Sequence, residues 1–262
     1  MNKKGIDNIQ TFGEHLDVLR KMLFRICILS FLIAFLVFFF KQEVFAFLLA
    51  PCSSDFITFE TVNKVLMFLG TNNNIYDSNI DLIATDLPSQ FLAHMSMSLY
   101  MGILLSSPFI IYELFKYVSP ALYENEKKYS FRVIMAAYSL FIIGLVVSYF
   151  LLFPISCRFL ASYSVSEHVK TMVTLDSYIS TFVSLTLLMG LAFQLPVISF
   201  FLAKMGIIEP SVMVEYRKHA FVLILIMATI ITPPDVMTLI LVSLPLYILY
   251  ELSIIVVKFS HK

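Results

Sequence analysis

Six stretches of this chain contain no Asp, Glu, Lys or Arg: residues 26–40, 87–112, 133–157, 177–203, 219–234 and 236–250. That pattern constrains the fold more than any motif does. A helix needs about 20 apolar residues to cross the hydrocarbon core of a bilayer. Lys and Arg stems at the ends of a shorter run can reach back to the interface and lengthen it. Only 14% of the residues are charged and 59% are hydrophobic, against roughly 25% and 45–50% in soluble domains. A water-facing surface could not be kept polar with this composition. The reading is an all-α, polytopic membrane protein of six transmembrane helices, with residues 1–262 forming a single integral membrane domain. The 18 basic and 18 acidic residues balance, which argues against a nucleic-acid binder and a charge-rich disordered chain.

The last two runs are unusual. Between them stands Thr232-Pro233-Pro234-Asp235, and two successive prolines cannot continue a helix. The apolar part of helix five, Ala220 to Ile231, has 12 residues, or about 18 Å at 1.5 Å per residue. Helices five and six are therefore expected to form a short hairpin that does not reach the far surface, with the bilayer thinned around it.

Orientation follows from the basic residues. Alternate connections divide them 14 to 4, and the smaller set is Lys41, Lys64, Arg158 and Lys170. The 14-side is expected to be cytoplasmic, giving an N-in/C-in topology with residues 1–25 as a cytoplasmic N-terminal segment. Nine acids fall on each side, so the inner face is net basic and the outer face net acidic. Residues 41–90 form the largest extramembrane segment, an extracytoplasmic cap loop too small for a catalytic domain. A cleavable leader is not expected, because the stretch before the first run is too long and too acidic. Cys52 and Cys157 fall on the same side; free thiols are the expectation and a bridge is the alternative.

Chemistry-bearing motifs are absent. There is no G-x-S-x-G, H-E-x-x-H, P-loop or G-x-G-x-x-G, and the five His are scattered. No enzyme, metal site or cofactor is expected. Polar groups inside apolar spans are costly and often mark function. Gln194 is the main one, beside Pro196, with Asp235 at an outer end. Its amide either satisfies backbone or bonds another helix, or else it offers a polar contact in a concave membrane face. Glu251 is either a second functional polar group or half of an interfacial ion pair with Lys258. On the inner face Glu14, Asp17, Glu124 and Glu126 stand among cations. They either pair locally at i,i+3 or i,i+4 spacing or take an arginine-bearing ligand.

Four stretches, in order, carry a family resemblance: His15-Leu16-Asp17-Val18-Leu19-Arg20-Lys21; Ser107-Pro108-Phe109 through Glu113-Leu114-Phe115 to Pro120-Ala121-Leu122-Tyr123-Glu124-Asn125-Glu126-Lys127-Lys128; Phe193-Gln194-Leu195-Pro196; and Thr232-Pro233-Pro234-Asp235 with Pro245 and Glu251 beyond it. Together they resemble TatC, the multi-spanning receptor of the twin-arginine protein translocation system. The resemblance implies a cytoplasmic-face site for paired-arginine signal peptides on folded cargo. It also implies transport driven by the proton-motive force, self-association, and single-span partners of the TatA/TatB type in a bacterial inner membrane.

Carried over residue by residue, the signal-peptide site is Glu126 with Glu124, Tyr123, Leu122 and Phe115. The family's other recognition acid maps onto Val18, which cannot accept a hydrogen bond, so Glu14 or Asp17 is expected to substitute. Gln194 stands where the family often has Glu, and Pro51 matches a position in the outer cap. Gln194, Pro196 and Asp235 are read as intramembrane polar or partner contacts. The competing class is a small-molecule or ion permease, which would want ionisable residues at mid-membrane and internal repeats.

Overall fold

A computed structural model describes residues 12–68, 80–118, 130–163, 166, 171–231 and 235–260. Helix α1 (Phe12–Phe38) packs along α4 (Ser89–Val118). The third span joins α5 (Ser130–Val147), a π-helical turn (Ser148–Leu152) and α6 (Phe153–Ser162). The fourth joins α7 (Leu175–Ala192) and α8 (Leu195–Lys204), and a short α9 (Pro210–Glu215) leads into α10 (Arg217–Ile231) and α11 (Val236–Ser260). Between α1 and α4 lie α2 (Lys41–Leu49), a 3-10 turn (Ala50–Cys52), α3 (Ile57–Phe68) and strand β1 (Leu82–Ile83). Strand β1 pairs in parallel with β2 (Val173–Thr174).

Proline sets where these helices break and how the cap is fastened. Pro51 has no N–H, so the carbonyl of Phe47, four residues earlier, loses its helical donor. The Tyr149 hydroxyl donates to that carbonyl at 2.8 Å, and its ring stacks on Phe47 with centroids 4.2 Å apart. Next to it, the Tyr178 hydroxyl donates to Leu48 O at 2.8 Å. Pro154 likewise frees the carbonyl of Phe150, and the Thr58 hydroxyl donates to it. Each hydroxyl comes from a different element, so a backbone defect becomes a tie between helices. Ser89, at the start of α4, donates to Asp176 in the first turn of α7 at 2.6 Å.

Glycine permits the closest approaches. A Cβ on Gly102 would lie 2.5 Å from Ala34 Cβ, so only glycine lets α4 sit this near α1. Along the same seam Ser30 and Ser106 share a hydrogen bond of 2.7 Å, and Phe38 stacks on His94 at 4.1 Å. Small residues of this kind are how helices associate in lipid, where apolar burial gives little net drive. The main core gathers toward the cap, around the fully buried Leu48, Phe59, Met97, Leu152, Phe182 and Leu185. Large apolar side chains such as Phe24, Phe31, Phe35, Leu223 and Ile230 point outward, as a lipid-facing surface requires.

Among the described residues, six segments have the length and composition to cross a bilayer: Leu16–Phe38, Lys41–Lys64, Ser89–Tyr117, Val133–Ser162, Leu175–Lys204 and Val236–Ser260. Five of these are expected spans. Lys41–Lys64 is the cap segment, and Pro51 breaks it into α2 of nine residues and α3 of 12, about 14 and 18 Å long, so neither piece crosses alone. Helix α10 has 15 residues, about 22 Å, and falls short of a ~30 Å core.

The sixth helix requires a correction: α11 runs for 25 residues, about 37 Å, and is not short. Its charge-free run ended at Tyr250, but the helix continues because Glu251 is neutralised. Arg217 Nη2 lies 2.7 Å from Glu251 Oε2, and the Tyr247 hydroxyl donates to Glu251 Oε1 at 3.2 Å. Glu251 therefore pairs with Arg217 across the α10–α11 hairpin and not with Lys258, which is exposed. Two helical turns separate residues seven apart, whereas the hairpin brings Arg217 to the same level. Cys27, Cys52 and Cys157 are all free thiols.

The proline account is tested by a cycle. We expect Tyr149→Phe to orphan Phe47 O and to cost about 1–3 kcal/mol. In a Pro51→Ala background, where residue 51 regains an N–H, the same change should cost measurably less. Thermal unfolding of the four proteins in detergent checks this; equal costs in both backgrounds would refute it.

Candidate functional site

The end of the molecule opposite the cap holds the N-terminal turns of α1 and the last turns of α4. Asp17 and Val18 stand exposed on α1, and Glu14 lies in the same helix. At the end of α4, Phe115 is half-buried and packs on Phe201 of α8 with ring centroids 5.1 Å apart. Leu122, Tyr123, Glu124 and Glu126 lie outside the described residues. One ion pair joins α1 to α4 here: Arg25 Nη2 is 3.0 Å from Glu113 Oε2. Sequence reasoning missed this pair, although each residue borders a charge-free run and antiparallel neighbours bring such borders to one level.

A groove of about 410 Å³ runs between α4, α5 and the α7–α8 span. Its walls include Ile103, Ser107, Ile111, Phe115, Phe141, Gln194 and Phe201. Its floor forms because α7 stops at Ala192 and α8 restarts at Leu195, with Pro196 in the first turn. That break turns Gln194 toward α5, where its Nε2 donates to Ala137 O at 3.0 Å. The amide thus bonds another helix, the first of the two sequence readings, while also lining the groove. Ser107 Oγ is buried there with no hydrogen-bond partner among the described residues. An almost wholly apolar trough with an amide and an unpaired hydroxyl is suited to a hydrophobic helix carrying one polar group, since polar contacts between helices help hold them in lipid.

The residues expected to act together are distributed as follows. Phe115, assigned to peptide binding, and Gln194, assigned to partner contact, share this one groove. Pro196 lines a separate lipid-side hollow with Val133, Leu140 and Phe200. Asp235 is far along the chain's hairpin and caps α11: Thr238 N donates to its Oδ1 at 2.7 Å, and the Thr238 hydroxyl donates to Oδ2. Both carboxylate oxygens are engaged by its own helix, the ordinary work of an N-cap Asp. Pro51 is buried in the cap. Among the described residues, no group of three or more His, Cys, Asp or Glu could hold a metal.

With this geometry in hand, comparison with known proteins is informative. Residues 14–245 match the family described as "Sec-independent protein translocase protein (TatC)". The chain is 33% identical over 263 residues to the Sec-independent protein translocase protein TatC of Blattabacterium sp. subsp. Periplaneta americana, covering 99% of both chains. It is 33% identical to TatCy of Bacillus subtilis, covering 97% of this chain and 91% of the relative. A crystal structure titled as the twin arginine translocase receptor TatC superposes with a TM-score of 0.75 at 28% identity, over 95% of this chain and 100% of the other.

The groove yields a separable expectation for Gln194. Replacing it with Leu removes the bond to Ala137 O, worth about 0.6 kcal/mol between membrane helices. Unfolding measurements should register only that small loss, because Ala137 O keeps its place in the α5 ladder. A loss above about 3 kcal/mol, the size expected when a buried polar group is orphaned, would show that the amide holds the fold and is not free for a partner.

Proposed function

The chain belongs to the TatC family of Sec-independent protein translocases, and on that premise we propose that it is the signal-peptide receptor of a twin-arginine translocase. As a family member it is a multi-pass protein of the bacterial inner membrane and a translocase component, not an enzyme. In the reading proposed here the 14 basic residues face the cytoplasm, so both termini do too. Glu126 and Glu124, with Leu122 and Tyr123 beside them, hold the arginine pair of a signal peptide. Asp17 or Glu14 supplies the carboxylate that Val18 cannot. Carboxylates take guanidinium groups through paired, charge-assisted hydrogen bonds, which discriminates Arg from Lys.

The observation that carries this reading is the shared groove. Phe115 sits at the end of α4 that leads into the recognition loop, and the same groove continues to Gln194. A peptide bound beyond the end of α4 would bring its apolar stretch, or a single-span partner of the TatA/TatB type, to the groove lined by Phe115. Gln194 cannot titrate, so it serves as a hydrogen-bonding contact and not as a proton carrier. The proton-motive force is taken to drive the transport step, with the proton handled outside this position.

Photocrosslinking from a probe beside Glu126 tests the proposal. A twin-arginine peptide should label about tenfold better than its Lys-Lys counterpart, a difference of roughly 1.4 kcal/mol. The Glu14→Ala/Asp17→Ala double variant should lose most of that labelling. Equal labelling by both peptides would overturn the receptor reading; unchanged labelling of the double variant would overturn the substitution at Val18.

A further inference from the structure

We propose that Glu113 is a further arginine-reading carboxylate and that Arg25 is its resident placeholder, occupying the position that an arginine of the signal peptide takes on binding. The inference rests on the receptor reading above and extends it to a residue pair that the family motif does not assign. The Glu113 side chain is only 5% exposed, whereas that of Arg25 is 50% exposed. A buried carboxylate left without a cation is strongly destabilising, so while ionised Glu113 favours a cationic partner. Among the described residues Arg25 is the cation it holds. An incoming arginine carries the same guanidinium and can replace Arg25 without leaving the carboxylate bare. A lysine, a compact and strongly hydrated ammonium, cannot reproduce the planar fork.

Position favours exchange. Glu113 lies five residues before the end of α4 at Val118, about 8 Å along the axis, and the chain then enters the loop that contains Glu126. On α1, Arg25 is two turns beyond Val18, on the same face. The half-exposed Arg25 is reachable by a competitor, and its release would not undo the α1–α4 packing. The α1–α4 seam is held independently by the Ser30–Ser106 bond, the Ala34–Gly102 approach and the Phe38–His94 stack. Displacement of Arg25 would therefore loosen only the charged end of α1, converting peptide capture into a local movement.

A purely structural ion pair and a placeholder predict opposite signs. Affinity of a twin-arginine signal peptide is measured for the full chain in lipid nanodiscs, with a Lys-Lys peptide as control. Arg25→Ala should bind the twin-arginine peptide about tenfold tighter, and Glu113→Gln about tenfold weaker, the range expected for one hydrogen bond to a charged group. Arg25→Lys, a milder change that keeps a cation at the site, should tighten binding by a smaller factor. The Lys-Lys peptide should respond to none of them. Weaker or unchanged twin-arginine binding in both Arg25 variants, with wild-type discrimination intact, would overturn the placeholder. Failure of the wild-type chain to discriminate the two peptides would instead overturn the receptor reading itself.

Discussion

A buried backbone carbonyl without a donor is costly, and prolines of this chain create such carbonyls at Phe47 and Phe150. The protein answers by importing hydroxyls. Phe47 O receives Tyr149, and Phe150 O receives Thr58. Because the donors sit on other elements, each repair also ties α2 and α3 to the third span, while Tyr178 ties α2 to α7. The cap and the fully buried core beneath it are thereby built as one unit. Without the prolines these segments could have been straight helices with no reason to meet.

The opposite end is held by different physics. Its contacts are an ion pair, exposed acids and an aromatic pair at the groove mouth, and such contacts can exchange partners at little cost. If the chain is a receptor for a charged, mobile peptide, as proposed, it would need this division. Rigidity at the cap keeps α4, α5 and α7 at fixed spacing, so the groove between them persists. In the proposed reading, adaptability at the charged end would let guanidinium groups enter. The break between α7 and α8 links the two regions, since it forms the groove floor and aims Gln194 into it.

Much of this was legible in the sequence because lipid makes charge placement nearly binary. Runs without charge located α1, α4, α7–α8 and the third span, and Pro233-Pro234 marked the end of a short α10. The cap was read as a loop because its helices are short, and the ties that hold them, Tyr149 and Tyr178 to α2 and Thr58 to the third span, are tertiary contacts that no local pattern announces. Two-residue strands carry no periodicity, so the β1–β2 pairing was invisible. The length of α11 was underestimated because Glu251 looks like a terminus until Arg217 is brought beside it. Gln194 was singled out in the sequence and its amide bonds α5, but its sharing of a groove with Phe115 is a tertiary fact. Asp235 was credited with a partner contact when its carboxylate is committed to capping.

The central claim, a fixed cap and an exchangeable charged end, is tested most directly by hydrogen exchange of the chain in nanodiscs with and without a twin-arginine signal peptide. Peptide binding should change protection in residues 12–25 and 110–118 and leave Phe47–Phe59 and Phe150–Cys157 unaltered. Changes in the cap segments, with none at the charged end, would contradict the account.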